Sequence, residues 1–480
     1  MKFNVVLILL FVLPIQAAIL HVPAEFNTIQ SGIDSAEEGD TVLVSSGIYF
    51  ENIQFDGKDI TLLAESGSDH TIIDGSMSGS VVEFTGGETE HAVLDGFTIQ
   101  NGSGTIISLI FGGGILVRDG NPTLRNLIIT NNSAFAGGGI AYHATTPTGL
   151  NALIENCLIQ NNLASEGGGI FGANISPIIE NTQIIANGMD DNGSGGGMNT
   201  ILAHPVLTNV QISGNETKWG GGIYCAGGGI TLENVLISDN ATIMHGAGAW
   251  IGQNSIVSAD RVTVINNHAQ SYGGGLWLTE NPNAQFVNMT ISGNSAVGGG
   301  GIYFSESEAV LLNSILWDNA PQQVLLEDDP GVLDIAFSDV QDGENGVQIN
   351  SGIMNWLDGN MGSDPLFNDD FSLSENSPCV DAGTSHYEWN GETILELSSN
   401  IFFGDAPDIG AVESEFENGE SLPGDVNGDG AVNVVDVVLA VSFILGESTP
   451  NDDEFSAADM NGDDTVNVVD IVQMVNIILS

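Results

Sequence analysis

Two stretches near the end of the chain place carboxylate and amide side chains at the spacing of a Ca²⁺-binding loop. Such a loop offers oxygen ligands at positions 1, 3, 5, 7, 9 and 12, and position 7 uses its backbone carbonyl. In "DVNGDGAVNVVD" these positions hold Asp425, Asn427, Asp429, Ala431, Asn433 and Asp436. In "DMNGDDTVNVVD" they hold Asp459, Asn461, Asp463, Thr465, Asn467 and Asp470. The spacing therefore predicts two Ca²⁺ sites.

Both loops depart from the usual pattern in small ways. Position 6, where the sharp turn favours glycine, is Gly430 in the first loop and Asp464 in the second. Position 12 is the shorter Asp in both loops, where Glu is usual. An apolar segment follows each loop, "VVDVVLAVSFIL" and "VVDIVQMVNIIL". We expect one helix after each loop and no helix entering it.

A second kind of chemistry, general acid–base catalysis, needs a basic side chain or a pair of carboxylates. Lys218, beside Trp219, is the candidate base. Asp190 and Asp191, in the insert "NGMDDNGSGGG", are candidate acid–base groups or Ca²⁺ ligands. The alternative for all three is a structural role at the surface, since the insert also reads as a polar loop.

The elements that position these groups belong to a repeat. A triple glycine followed by an apolar residue recurs every 25 to 30 residues or so, with "GAGA" at one of the positions. Between the glycine runs, asparagines occur in pairs six residues apart. The first members are Asn126, Asn156, Asn181, Asn209, Asn234, Asn288 and Asn313, and Arg261 takes this place in one repeat. The second members are Asn132, Asn162, Asn187, Asn215, Asn240, Asn267, Asn294 and Asn319.

The segments between these corners are short and rich in β-branched residues and leucine, which indicates strands. Strands of this length in a 25-to-30-residue repeat predict a solenoid of parallel strands, with about three strands in each coil. A propeller is the alternative, but a propeller blade needs about 40 residues. Asparagine suits the corners because it tolerates left-handed backbone and bonds locally.

Strand alternation predicts a column of outward side chains. If the apolar residue after each glycine run points inward, the next one points outward. Those positions hold Ala141, Phe171, Asn199, Tyr224, Trp250, Trp277 and Tyr303, and Trp219 and His245 precede the glycines at the edge of the same face. Exposed rings suit sugar binding. The alternatives are rings that stack only on each other, and a face covered by a loop.

The charge of the chain excludes some partners. Only 6 residues are Lys or Arg against 62 Asp or Glu, which gives a formal net charge of −56, and Arg261 is the last basic residue. Such a field repels nucleic acid and anionic lipid and attracts divalent cations. Solubility in a salty medium explains the bulk charge equally well.

The first residues read as a secretory signal. "MKFNVVLILLFVLPIQAA" has a lysine, an apolar run of about ten residues and small residues at the end. The run is short for a membrane span, so we expect a secreted protein without a transmembrane segment. The three cysteines, Cys157, Cys225 and Cys379, fit no metal motif, and at least one should be a free buried thiol.

The repeat resembles the right-handed parallel β-helix of the pectate-lyase-like superfamily. "HVPAEFNTIQSGIDSAEEGD" and "GSDPLFNDDFSLSENSPCVDAG" resemble the N-terminal cap and the closing stretch of secreted bacterial β-helix repeat proteins. The resemblance implies binding of extracellular polysaccharide, with cleavage as a lyase or glycoside hydrolase if the protein is an enzyme. A non-catalytic adhesin or cell-surface structural protein is the alternative.

The paired loop–helix units resemble a type I dockerin, a module that binds a cohesin on a scaffold or cell surface. In that family positions 10 and 11 of each loop help to choose the partner, and here they are Val434, Val435, Val468 and Val469. Valines depart from the Ser or Thr often found there. The predicted domains are a signal peptide (1–18), a cap with the first coils (19–108), further coils with the closing stretch (109–412), an acidic linker (413–421) and the dockerin-like module (422–480). The predicted fold class is all-β, a single-stranded right-handed β-helix with a small helical Ca²⁺-binding domain.

Overall fold

The computed structural model describes residues 17–144, 151–280, 282–327, 331–398, 401–416, 423–427, 432–446, 448–450, 452–462 and 465–479. The predicted signal peptide therefore lies outside the described residues except for its last two positions. The predicted linker is described only at 413–416. The domain boundaries stay predictions.

The main body is a parallel β-solenoid of about 12 coils, which confirms the predicted fold class. Each coil adds a strand to three columns, and every column pairs in register with the coils before and after it. The first column contains Ile19–Val22, Thr41–Val44, Thr61–Ala64, Val93–Asp95, Thr123–Arg125, Leu153–Glu155, Ile178–Glu180, Val206–Thr208, Glu308–Leu312, Val332–Ala336 and Ile353–Trp356. The second contains Gly47–Tyr49, Thr71–Asp74, Thr98–Gln100, Ile128–Thr130, Leu158–Gln160, Gln183–Ile185, Gln211–Ser213, Ile315–Trp317 and Asp339–Val340. In the later coils Ile256–Ile265 and Asn283–Ser292 run through both columns.

The third column follows the glycine runs. It contains Ile53–Gln54, Val82–Phe84, Ile115–Arg118, Ile140–His143, Ile170–Ala173, Met198–Ala203, Ala249–Gly252, Leu276–Leu278, Ile302–Phe304, Val324–Leu326 and Val347–Ile349. The long strand Ile223–Ser238 passes through all three columns.

A fourth column, which we call the ridge, precedes the glycine runs and was not predicted. It contains Thr105–Ile106, Ile110–Phe111, Ser133–Ala136, Leu163–Glu166, Gly188–Ser194, Glu216–Trp219, Ala241–His245 and His268–Ala269. The turn from ridge to third column needs glycine. At Gly220, φ is +63°, and a Cβ atom there would lie 2.3 Å from the Ile223 carbonyl oxygen.

The interior of the solenoid combines an aliphatic core with a ladder of buried asparagines. Asn132, Asn162, Asn187, Asn215, Asn240, Asn267, Asn294 and Asn319 are 0–5% exposed. Each side chain bonds to the next coil; for example, Asn215 Nδ2 donates to Asn240 Oδ1 at 3.0 Å. The first asparagines of each pair adopt left-handed backbone, with φ between 48° and 56°. The left-handed backbone predicted for the corner asparagines is confirmed.

The two ends of the solenoid are covered. Helix α1 (Ile29–Ser35), capped by Thr28, packs Ile29 and Ile33 into the core at the N-terminal end, as predicted. The closing stretch returns along the outside of the last coils, with a 3₁₀ turn at Gly343–Gly346 and a hairpin, His386–Trp389 with Glu392–Glu396. It is fixed by hydrogen bonds such as Trp389 Nε1 to Asp334 Oδ2 at 2.8 Å.

The C-terminal residues form three helices, α2 (Val434–Leu445), α3 (Asp452–Ala458) and α4 (Val468–Leu479). They have a small core of their own, built from Val426, Ala440, Ala457, Ala458 and Met474. The helices expected after each loop are confirmed. The expectation that no helix enters a loop is wrong for the second loop, because α3 ends directly before it. None of the helices in the described part of the chain is long and apolar enough to cross a membrane.

Candidate functional site

The third column and the ridge meet along a cleft at the glycine corners. The outward residues of the third column pair in register from coil to coil, Tyr224 with Trp250, Trp250 with Trp277 and Trp277 with Tyr303. The last ridge residues form a second line beside them, in which Ser194 pairs with Trp219 and Trp219 with His245. We call these two lines together the aromatic cleft.

The rings of the two lines pack on each other. Tyr224 stacks on Trp250 with centroids 4.3 Å apart, and Trp219 stacks on Trp277 at 6.0 Å. His245, in the second line, contacts rings of both lines: its ring centroid is 3.6 Å from that of Trp277 and 5.0 Å from that of Trp219. The sequence correctly predicted that these residues come together.

The expected exposure of the column is wrong for five of its seven residues. Ala141 and Asn199 are 0% exposed, and Phe171, Trp250 and Tyr303 are only 6, 5 and 5% exposed. The ridge residues pack over the column from the side and remove much of it from solvent. Tyr224, Trp277, Trp219 and His245 keep a half-buried surface. The cleft is thus a packed ring cluster of which four rings reach the surface.

A polar cluster lies at one end of the cleft. Glu166 accepts hydrogen bonds from Ser194 Oγ and, at 2.6 Å, from Asn199 Nδ2. Burial raises the pKa of Glu166 above its usual range, and the two hydrogen bonds oppose that shift. A carboxyl group with a raised pKa is a typical general acid. The sequence alone does not single out Glu166, because single carboxylates are common at surfaces.

Four buried polar atoms of the cleft have no hydrogen-bond partner among the described residues. They are Asn199 Oδ1, His245 Nδ1, Trp250 Nε1 and Trp277 Nε1. Buried atoms without partners are rare and cost stability, so a cluster of them calls for a functional explanation. Burial also lowers the pKa of His245 to about 4, so its ring is neutral at pH 7.

The candidate catalytic residues lie on the ridge. Lys218 is half-buried on the strand Glu216–Trp219, and its carbonyl accepts a hydrogen bond from Thr242 Oγ1 at 2.5 Å. The register of this strand shifts between Thr217 and Trp219, so strand alternation does not fix the side on which Lys218 lies. Asp190 and Asp191 fall within the strand Gly188–Ser194, and their side chains lie outside the described residues.

The first C-terminal loop closes on its last ligand position. Asp436 is fully buried, and its Oδ1 accepts from Asn427 N at 3.1 Å while its Oδ2 accepts from Asn433 N at 2.8 Å. Asn433 in turn caps α2 by accepting from Val435 N at 2.8 Å. Positions 3, 9 and 12 are therefore brought together. Asp425 is also buried, whereas Asp429 and Ala431 lie outside the described residues.

The second loop leaves an anionic oxygen without a partner. Asp470 is fully buried; its Oδ2 accepts from Asn467 N at 2.8 Å, but its Oδ1 bonds to none of the described groups. A buried carboxylate oxygen requires a cation or a donor, so the donor set fits a hard cation such as Ca²⁺. Asp459 Oδ1 accepts from Gly462 N at 3.0 Å, Asn461 and Thr465 are exposed, and Asp463 lies outside the described residues.

The valines at positions 10 and 11 of the loops begin α2 and α4 and are exposed. Val434 and Val468 are 67 and 66% exposed, and Val435 and Val469 are both 54% exposed. Equivalent residues of the two halves thus present the same apolar side chains to solvent. An exposed apolar patch that is repeated in this way is typical of a binding surface.

Comparisons with known proteins agree with this architecture. Residues 204–361 match the family model "Right handed beta helix region", and residues 423–479 match "Dockerin type I domain". Type I dockerins are generally Ca²⁺-binding, and a dockerin implies a cohesin partner. No curated protein sequence matches the chain.

Solved structures show likenesses at low identity. Pectate lyase Pel9A is 14% identical with a TM-score of 0.47, over 83% of this chain and 97% of its own. The catalytic unit of a GH87 α-1,3-glucanase from Streptomyces thermodiastaticus is 13% identical with a TM-score of 0.40, over 73% and 71%. PfbA, a surface adhesin of Streptococcus pneumoniae, is 11% identical with a TM-score of 0.30, over 80% and 99%. These values carry no argument about activity. The two family matches and the fold together identify the chain as a right-handed parallel β-helix repeat protein with a C-terminal type I dockerin domain.

Proposed function

We propose that this protein is secreted, binds an extracellular polysaccharide along the aromatic cleft, and is tethered by its dockerin domain to a cohesin on a scaffold or cell surface. The observation that carries the proposal is the cleft itself. Half-buried faces of Trp219, Tyr224 and Trp277 suit the C–H edges of sugar rings.

The dockerin domain holds two Ca²⁺ ions in this proposal, one in each loop. In the first loop Asp425, Asn427, Asp429, the Ala431 carbonyl, Asn433 and Asp436 bind the metal. In the second, Asp459, Asn461, Asp463, the Thr465 carbonyl, Asn467 and Asp470 do so. Bound Ca²⁺ neutralises the buried Asp436 and Asp470 carboxylates and orders a domain whose own core is small. The exposed valines of either half then contact the cohesin.

A second candidate function is cleavage of the bound polysaccharide. It is favoured by Glu166, a half-buried carboxyl group at the end of the cleft whose pKa is raised by burial. Lys218, Asp190 and Asp191 remain candidate partners in a lyase or hydrolase reaction. A non-catalytic adhesin is the other form of the proposal, in which the cleft only holds the glycan.

Two measurements test the proposal. Incubation with a panel of polysaccharides, with Ca²⁺ or with chelator, gives unsaturated products for a lyase, new reducing ends alone for a hydrolase, and retention without products for an adhesin. Trp277→Ala should weaken retention at least tenfold, since stacking on an aromatic ring supports sugar binding. Phe50→Ala is the matched control, because Phe50 is an aromatic residue that is 71% exposed and belongs to the first coils, far from Trp277 in the chain. Retention that Trp277→Ala leaves unchanged would remove the cleft from the proposal.

A further inference from the structure

A groove runs along the outside of the solenoid at the corner between the first and second columns. Its volume is about 440 Å³. The corner asparagines Asn181, Asn209 and Asn234 line one side of it, and residues of the second column, such as Gln183 and Gln211, line the other. The aromatic cleft lies at a different corner, between the ridge and the third column, so the groove is a separate surface.

The closing stretch of this chain occupies the same corner in the coils that follow the groove. Ala411 N donates a hydrogen bond to Thr290 Oγ1 at 3.0 Å, and Gly410 N donates to Asn313 O at 2.9 Å. Thr290 pairs in register with Thr263, which lines the groove, and Ala411 closes one end of it. The groove is therefore the uncovered continuation of a path along which the solenoid already binds a peptide segment.

Asn313 shows how a corner asparagine holds such a segment. Its Nδ2 donates to Thr384 O and its Oδ1 accepts from Thr384 N, each at 2.9 Å. The same Nδ2 also donates to the corner asparagine of the preceding coil, Asn288, at 3.2 Å. In the next coil the corner residue is Phe337, which cannot donate to Asn313 Oδ1 through its side chain. Asn313 is thus the last amide of its row, and its free donor and acceptor bind one peptide unit.

Asn234 is the last amide of its row in the groove. Its Nδ2 donates to Asn209 Oδ1 at 2.7 Å. The corner residue of the next coil is Arg261, whose guanidinium group pairs with two neighbouring carboxylates instead of with Asn234. Among the described residues, Asn234 makes no other side-chain hydrogen bond. Because Asn234 is also exposed, it presents to solvent the donor and acceptor with which Asn313 binds a peptide unit.

The corner favours small residues in its occupant. At Gly410, where φ is +121°, a Cβ atom would lie 3.0 Å from Ile315 Cδ1 and 3.2 Å from Thr290 Oγ1. At Gly383, a Cβ atom would lie 3.1 Å from Asn313 Oδ1. The closing stretch approaches the corner this closely because glycine has no side chain there.

Charge and composition decide among the possible occupants. Arg261 is 2.8 Å from Glu233 and 2.7 Å from Asp260, so one cation faces two anions at the end of the groove. A second copy of this chain, with its net charge of −56, would be repelled. None of the described residues that line the groove is aromatic, so a sugar ring finds no stacking surface. A neutral or basic peptide of another protein fits best.

We propose that this groove binds a linear peptide segment of another protein, neutral or basic and rich in small residues, and that Asn234 pairs with one of its peptide units as Asn313 pairs with Thr384. The side chains of Gln183 and Gln211 offer further amide donors and acceptors on the opposite side. Such binding relies on hydrogen bonds at a polar surface and is therefore reversible.

Fluorescence polarisation with a labelled synthetic peptide tests the proposal on the full chain in the presence of Ca²⁺. The probe carries IGAV, the sequence of residues 409–412, twice between terminal lysines. We expect saturable binding that Asn234→Gly weakens by about tenfold or more, since glycine keeps the left-handed backbone and removes the amide. Asn156→Gly is the matched control, because Asn156 is an exposed corner asparagine with φ of 53° that does not line the groove.

A second pair of variants tests the groove by filling it. Gln211→Trp places a large ring among the lining residues and should weaken binding of the probe as strongly as Asn234→Gly. Leu158→Trp is its control, because Leu158 pairs in register with Gln183 and Gln183 with Gln211, so that Leu158 has the same position in a coil outside the groove. A probe with terminal glutamates in place of the lysines should bind more weakly.

The remaining outcomes would overturn the proposal. They are the absence of saturable binding, binding that both Asn234→Gly and Gln211→Trp leave unchanged, and equal binding of the lysine and glutamate probes. Cellohexaose, xylohexaose and mannohexaose are the sugar probes: if one of them binds in a way that Gln211→Trp abolishes and Leu158→Trp does not, the groove is a sugar site instead. Trp277→Ala should not affect binding of the peptide, so this test is independent of the aromatic cleft.

Discussion

The buried asparagine ladder should carry a measurable share of the stability of the solenoid, and Asn215 is the position at which to test it. Its Nδ2 donates to Ile184 O at 2.9 Å and to Asn240 Oδ1 at 3.0 Å. Its Oδ1 accepts from Asn187 N at 2.9 Å and from Asn187 Nδ2 at 3.2 Å. Asn215→Ala removes all four bonds and leaves the buried backbone N–H of Asn187 without its acceptor, whereas Asn187 Nδ2 keeps its bond to Ile159 O at 2.8 Å.

The size of the effect follows from these bonds. At ~1 kcal/mol for each buried hydrogen bond, Asn215→Ala should lower the local free energy of unfolding by about 4 kcal/mol. That loss corresponds to roughly a thousandfold more frequent opening. Because each coil of a solenoid contacts only its neighbours, the effect should be confined to the adjacent coils.

Amide hydrogen exchange, followed by mass spectrometry of peptides, gives the local readout. Peptides covering residues 183–188 and 211–219 should exchange much faster in Asn215→Ala, and peptides from the first coils should not change. Gln183→Ala is the control in the neighbouring coil, since Gln183 is exposed and its side chain donates one long bond to Gln211 at 3.3 Å. If Asn215→Ala costs less than ~1 kcal/mol, or no more than the control, the ladder does not hold the coils together.

Three further predictions concern the dockerin domain and one buried acid. Chelation of Ca²⁺ should abolish the helical circular dichroism signal and spare the β signal, because the buried Asp470 carboxylate loses its counter-ion; Asp470→Asn should weaken the response to Ca²⁺ in titrations, and a spectrum insensitive to chelator would contradict the two-site proposal. Val435→Glu or Val469→Glu alone should leave binding to immobilised cohesin largely intact in a pull-down, and the double variant should abolish it. Complete loss of binding in either single variant would show that only one half of the domain binds. Burial raises the pKa of Asp339 from 3.8 to about 6, so the stability that its protonated form contributes is full below pH 4 and is lost as the pH rises through 6. In Asp339→Asn, the free energy of unfolding measured in urea should therefore depend less on pH between pH 4 and 7. If this pH dependence is the same as in the unaltered protein, other groups cause it.

Much of the fold can be read from corners rather than from strands. Glycine runs and asparagine pairs mark positions where only a few residue types tolerate the backbone, so their recurrence predicts the coil and its register. The ridge is harder to predict, because strands such as Glu216–Trp219 mix charged, polar and aromatic residues without a period of two. The short helix α3 was missed for a similar reason, since "DDEFSAA" lacks an apolar stripe.

The aromatic cleft shows where strand parity stops being informative. Alternation correctly places Trp250 and Tyr303 on the outward side of the third column, but outward is not the same as exposed. Whether a ring meets solvent depends on the ridge, whose residues pack over it from another part of the coil. The three free cysteines are a simpler case, because the expectation of a buried thiol holds for Cys157, Cys225 and Cys379 alike.

The in-register stacking of the coils fixes the spacing of the residues along the cleft. Each coil contributes one outward residue to the third column, and successive outward residues are about 4.8 Å apart, whatever the length of the loops between them. Gain or loss of a whole coil would lengthen or shorten the cleft by one residue position without altering its cross-section. Lengthening an insert such as the one at Gly188–Ser194 would instead change the wall at one position only. The length of the cleft and its local chemistry can therefore vary independently in this architecture, the first by coil number and the second by single substitutions.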